Sequence, residues 1–282
     1  MSFPLWGGLK PYRWWLCLPG TLLGSMRLVR NLAGSSAVDV GRLGQAAFEV
    51  GYVDEDCVRS REPLSACWTL RFERLSPVRT VRSYQGQKSV TRDYWAATTA
   101  GQLSCESHLE RHHAMLLDFD PKVTALVGQP FRLFWPGRRG RRGHVPDFFA
   151  RLHDGGGLVV DVRPDDRIEL DDAEAFAATA RACELAGWAF RRVGAINPVL
   201  LANVKWLAGY RHPRNHREPV ASELTAGFAE PGALLAVAER VGDRLAVLPV
   251  LYHLLWRRIL EVDLESGLLG ARSMVRRAGT TW

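Results

Sequence analysis

Between residues 104 and 210 the apolar positions change period several times, and each change marks a predicted element. In SCESHLERHHAMLLDF, Leu109, His112 or His113, and Leu116 recur at helical spacing, so a helix is predicted there until Pro121 stops it. Residues 123–127 and 131–135 read as strands, the second with Phe131, Leu133 and Trp135 on one face. Residues 145–152 and 158–162 are the next two strands, joined by a tight turn at His153-Asp-Gly-Gly-Gly157. Asp171 or Asp172 caps a helix in which Phe176, Ala180 and Cys183 share a face, and Gly187 ends it. Residues 188–193 form a further strand. Asn197-Pro198 then opens a helix through Leu207, with proline in its first turn.

Outside this block the pattern is weaker. Residues 1–45 show no period. Phe48, Val50 and Tyr52 alternate with small or polar residues, as do Trp68, Leu70 and Phe72, which predicts two short strands. Residues 79–103 read as loop with short strands, and residues 211–222 as a linker. Beyond the linker, residues 231–241 form a helix closed by Gly242. Asp243 caps a second helix that runs to about Arg258, and a hairpin turning at Ser266-Gly267 follows. Two helices and a hairpin are winged-helix-like. The expected fold is therefore α/β in three parts. Residues 1–82 are an N-terminal segment, partly disordered with short strands. Residues 83–213 are a core of helix, three strands, helix, strand, helix. Residues 214–282 are a small helical, winged-helix-like domain.

Composition adds little to that picture and excludes some classes. With 47% hydrophobic and 24% charged residues, the 282-residue chain is an ordinary globular protein. Its net charge of +7 favours a polyanionic partner. The five cysteines are odd in number and scattered, without a Cys-x-x-Cys pair. Neither a disulfide framework nor a zinc cluster is indicated, and a cytoplasmic setting is expected. The run RWWLCLPGTLLG imitates a signal peptide, yet Pro19 and Gly20 break it and it is too short to span a bilayer. A start nearer Met26, and no membrane association, are expected.

The chemistry lies in two strands. Paired antiparallel across the 153–157 turn, they bring Asp147 and Asp161 to the same end. The preceding helix carries Glu106 and Glu110 on one face. Converging carboxylates repel, and a hard divalent cation such as Mg²⁺ or Mn²⁺ resolves the repulsion. Such an ion activates water and stabilises charge on a phosphate being cut. Glu110 also completes a Ser107-x-x-Glu capping box, which leaves Glu106 as the alternative ligand. Arg138, Arg139, Arg141 and Arg142 sit on a turn leading into the strand of Asp147, which reads either as a solvated hairpin tip or as a contact to DNA phosphates. His108 and His112 bracket Glu110, but a zinc-hydrolase helix needs the glutamate one position earlier.

Asp147 after Pro146, followed by Asp161-Val-Arg163, resembles the PD-(D/E)xK nuclease signature. The nearer resemblance is to TnsA-type endonuclease subunits of heteromeric transposases. It rests on Ser107-His-Leu-Glu110, Leu117-Asp-Phe-Asp-Pro121, Gln129-Pro-Phe131, His144-Val-Pro-Asp-Phe148, Val160-Asp-Val-Arg-Pro164 and Asn197-Pro through Asn203-Val-Lys-Trp-Leu-Ala-Gly-Tyr210. The resemblance implies a restriction-endonuclease-like fold for residues 83–213 and a Mg²⁺- or Mn²⁺-dependent endonuclease that cuts one DNA strand at each transposon end. It also implies a DDE-type transposase partner for the other strand and an AAA+ ATPase regulator. Glu110, Asp147 and Asp161 would be metal-binding or catalytic, and Arg163 would stand where the family has lysine. Arginine stays protonated in proteins, so Arg163 orients water or neutralises phosphate rather than acting as a base. The alternatives are a stand-alone restriction or defence nuclease, and a catalytically silent nuclease fold serving as a DNA-binding or assembly scaffold.

Overall fold

The computed structural model describes residues 39–79, 92–137 and 140–279. The signal-like run, Met26, Arg138 and Arg139 lie outside them. Val40–Trp282 gather into one compact unit. It is mixed α/β, with four sheets among the described residues.

The chain enters through β1 (Glu49–Val53), β2 (Arg59–Pro63) and the short helix α1 (Leu64–Cys67). The second strand thus precedes the predicted one: Asp54 accepts from Val58 N at 2.8 Å and turns the chain early. Residues 68–72 hold no strand. The hairpin β3 (Arg92–Ala96) and β4 (Gly101–Cys105) leads into α2 (His108–Phe119). Next come β5 (Val123–Gly128), β6 (Arg132–Gly137), β7 (Gly140–His144), β8 (Phe148–Leu152) and β9 (Gly157–Val162). Helix α3 (Leu170–Ala186), β10 (Ala189–Val193) and α4 (Pro198–Ala208) complete this block. Arg141 and Arg142 lie on β7 rather than in a turn. The N-cap of α3 is Glu169, not either predicted aspartate; Asp172 instead closes a capping box with it, and Gly187 ends the helix at φ 74°.

The central sheet has the order β10-β9-β8-β5, with β9 and β10 parallel and the other pairs antiparallel. Strands β6 and β7 leave it and join β1 and β2 in a second sheet, ordered β2-β1-β6-β7. Side chains on a strand point to alternate faces. Phe148, Ala150, Leu158 and Val160 therefore enter one core, with α2 and α4. Phe149 and Val159 enter the other, with α3 and the inner face of the second sheet. Both faces of β9 are covered, which explains its nearly unbroken apolar run.

The first core continues beyond residue 213. Helices α5 (Glu218–Gly227), α6 (Leu234–Val241) and α7 (Arg244–Trp256) contribute Leu224, Val237 and Leu251 to it. The expected linker therefore contains the start of a helix, α5, opened by Pro219 in its first turn. Strands β11 (Gly232–Ala233), β12 (Leu260–Val262) and β13 (Met274–Arg277) form a sheet ordered β11-β13-β12. Buried Asn203 on α4 ties this region down. Its Nδ2 donates to Leu264 O at 2.9 Å and Gly267 O at 2.8 Å, and its Oδ1 accepts from Leu269 N at 2.8 Å. Among the described residues no helix is long and apolar enough to cross a membrane.

Candidate active site

The register Phe148↔Val160 sets Asp147 opposite Asp161 where the β8–β9 pair ends. Asp147 Oδ2 accepts from Val162 N at 2.7 Å, across that pair. Burial pushes the Asp147 carboxyl well above the usual carboxylate range, and the negative charges of Asp161, Glu110 and Glu106 push it further. Three of the four carboxylates expected to converge thus act electrostatically on the fourth, Asp147.

Asp161 shares a strand face with Val159, so it points into the second core beneath α3, where its charge reaches Cys183. It is 1% exposed. Its Oδ1 is 2.9 Å from Nε2 of His144, at the end of β7. Its Oδ2 is buried and has no hydrogen-bond partner among the described residues. An orphaned buried carboxylate oxygen is costly and marks a place where something positive belongs.

Glu110 is committed to the start of α2. Its Oε1 accepts from Ser107 Oγ at 2.9 Å and its Oε2 from Glu106 N at 2.7 Å, while Ser107 Oγ accepts from Glu110 N at 3.1 Å. This closes the Ser-x-x-Glu pattern as a capping box in which the glutamate reaches the amide of Glu106, one residue before the N-cap. Burial holds Glu110 above the ordinary range, with the charge of Glu106 adding to it. Glu106 is held in turn by Arg79, whose Nη2 lies 2.6 Å from its Oε1, and by Gln129, whose Nε2 donates to Oε1 at 2.8 Å. Gln129 adopts φ 49°, a left-handed backbone uncommon outside glycine. Its backbone N donates to Asp147 O at 2.9 Å, so one residue joins Glu106 to the strand of Asp147.

Arg163 shares the face of Asp161 but turns outward. Its Nη2 and Nε donate to Asp172 Oδ2 at 2.9 and 3.2 Å, the same carboxylate that caps α3. Arg141 pairs with Glu49, and Arg142 with Asp171 at 3.0 Å, so both cations already have counter-charges. His113, not His112, faces inward: its Nε2 is 2.8 Å from Gly194 O, and burial holds its ring below the ordinary histidine value. Asp118 and Asp120 of the Leu117-Asp-Phe-Asp-Pro121 run are structural. Asp118 accepts from Tyr94 Oη at 2.7 Å and Thr98 N at 2.8 Å, fastening the β3–β4 turn to α2. Asp120 accepts from Lys122 N at 2.9 Å.

Three participants have no role assigned from the sequence, His144, Gln129 and Arg79, although the first two stand in runs that carry the resemblance. His144 stands three residues before Asp147, and only the sheet-switching β6–β7 hairpin turns it onto Asp161. Among the described residues no group of three or more His, Cys, Asp or Glu side chains is arranged to hold a metal ion. The donor chemistry still fits Mg²⁺ or Mn²⁺. Two adjacent carboxylates, one with an orphaned oxygen, are the sort of set that binds Mg²⁺ together with waters and substrate phosphates rather than in an all-protein cage. The chain matches no protein-family model and no curated protein.

Proposed function

We propose that this chain is a metal-dependent DNA endonuclease, acting as the TnsA-type subunit of a heteromeric transposase that cuts one strand at each transposon end. The observation that carries the reading is the buried Asp161, whose Oδ2 has no partner among the described residues, opposite an Asp147 whose proton affinity is raised by burial and by three neighbouring carboxylates. The order α2, β5, β8, β9, α3, β10, with β10 parallel to β9, supports a restriction-endonuclease-like core. The order α5, β11, α6, α7, β12, β13 supports a winged-helix-like C-terminal part.

In this reading Asp147 and Asp161 hold Mg²⁺ or Mn²⁺, and Glu110 adds negative charge from its capping position. The bound ion lowers the pKa of water and offsets charge on the cleaved phosphodiester. His144 orients Asp161, and Val162 N orients Asp147. The DDE-type transposase, the AAA+ ATPase regulator and a cytoplasmic setting belong to the same proposal. The test is nicking of transposon-end DNA, with and without the transposase, in Mg²⁺ or Mn²⁺ but not Ca²⁺. Asp147→Ala and Asp161→Ala should each abolish it.

One observation favours a second reading, a silent nuclease fold used as a scaffold: the arginine at the lysine position is bound to Asp172. Arg163→Lys separates the two. Preserved or faster cutting supports the enzyme. If neither the natural chain nor Arg163→Lys cuts under any metal or partner condition, the scaffold reading replaces it.

A further inference from the structure

The second sheet has a solvent face unlike its inner one. Register places Gly51 beside Arg61 and Arg132, Val53 beside Arg59, Glu49 beside Phe134, and Pro136 beside Arg141. Alternation therefore collects Arg59, Arg61, Arg132 and Arg141 on one surface. Phe134 lies at its centre. The Arg61 guanidinium carbon is 3.9 Å from the ring centroid, that of Arg132 5.4 Å and that of Arg141 6.0 Å. Glycine makes this possible: a Cβ at Gly51 would stand 3.1 Å from Phe134 Cε2, and one at Gly143 would stand 3.0 Å from Arg132 Nε and 3.2 Å from Phe134 Cδ1. The ring packs against two glycines, and the guanidiniums gather around it.

Four arginines so placed repel one another. Glu49 is shared by Arg61 and Arg141, and Arg59 and Arg132 make no ion pair with a described residue. The surface borders a cleft of about 330 Å³ lined by Arg59, Arg61, Arg132, Phe134, Arg79 and Val145, among others. Arg79 is the residue that holds Glu106, and Val145 lies two residues before Asp147. The cleft thus extends from the arginine face as far as the residue that holds Glu106.

We infer that this arginine face binds the phosphate backbone of duplex DNA and leads it toward Asp147 and Asp161. The choice of DNA among polyanions rests on the nuclease reading; the cationic face does not. Phosphates supply the missing counter-charge, and guanidiniums pinned on an aromatic ring lose little freedom on binding them.

The test is fluorescence anisotropy of a labelled duplex with the full-length protein in EDTA, titrated with salt, so that no cleavage enters the readout. Arg59→Gln/Arg132→Gln removes two cations that have no ion pair with a described residue. It should weaken binding about tenfold or more at about 0.1 M salt and flatten the log–log salt slope by about 1.8, at about 0.9 per contact. Glu49→Gln removes only the counter-charge and should act in the opposite direction, with tighter binding and a steeper slope. Damage to the fold would weaken both variants and cannot produce this reversal. Unchanged affinity and slope in both variants overturn the inference and leave this face for a different partner, such as an acidic protein surface. Binding that responds as expected in a protein that never cuts would retain the inference and remove the nuclease.

Discussion

Asp147 is where the electrostatics of the site converge. Its folded-state proton affinity is raised, by burial first and by Asp161, Glu110 and Glu106 next. A carboxyl with a raised folded pKa stabilises the fold at pH below its unfolded value, and that contribution is lost as pH rises through the folded value. At neutral pH, above the unfolded value, the Asp147 carboxyl is thus a burden on the fold. Asp147→Asn keeps an acceptor for Val162 N and should stabilise the metal-free protein by about 1–3 kcal/mol near neutral pH. The gain should shrink toward zero as pH falls below the ordinary carboxylate range, which melting curves from mildly acidic to mildly alkaline pH would show. A pH-independent difference would mean that neither burial nor the neighbouring carboxylates raise the proton affinity of Asp147. His144→Ala should act the other way. It strips Asp161 of its Oδ1 partner at 1% exposure, and a loss of about 1–3 kcal/mol is expected in urea unfolding.

At the scale of the element, α2 joins fold and chemistry through one residue. Glu110 closes the capping box with both carboxylate oxygens. Glu110→Ala should cost about 0.5–2 kcal/mol of stability. Glu110→Gln keeps a side chain that caps equally well, so stability should hold within about 0.5 kcal/mol. Its Mn²⁺ affinity should fall by less than that of the Asp147→Asn or Asp161→Asn proteins, as titration calorimetry would report. A Gln variant as metal-deficient as the aspartate variants would make Glu110 a direct ligand, requiring the cap to open. The capping box itself is readable as Ser107-x-x-Glu110. That Glu106 is occupied by Arg79 and Gln129 is not readable, because those partners come from 27 and 23 residues away.

At the scale of the molecule, the central sheet and the C-terminal helices share a core. Leu224, Val237, Leu251 and Leu254 belong to the same apolar cluster as Leu158, Val160 and Val204. A chain ending after Pro213 would expose that surface and should be insoluble or unfolded by circular dichroism; a soluble, cooperatively melting fragment would contradict this. Asn203→Ala leaves the carbonyls of Leu264 and Gly267 and the amide of Leu269 without their partner. It should lower stability by about 2–4 kcal/mol, since each buried backbone group left unpaired costs about 1–3 kcal/mol, offset where water enters.

What the chain determines by itself is local. Helix α2 with its cap, the apolar runs of β5, β8 and β9, the turn at 153–157 and the proline-started α4 follow from period, capping and turn chemistry within a few residues. The antiparallel β8–β9 pair then brings Asp147 level with Asp161, because a tight turn constrains register. Tertiary structure decided the rest. Whether β6 and β7 pair in the central sheet or leave it depends on which apolar faces need covering, and their departure brings His144 onto Asp161 and exposes the arginine face. Arg163 turns to Asp172 because a second carboxylate stands nine residues on at the cap of α3. Such choices among competing long-range partners are made by burial and charge in three dimensions, where spacing along the chain carries no information.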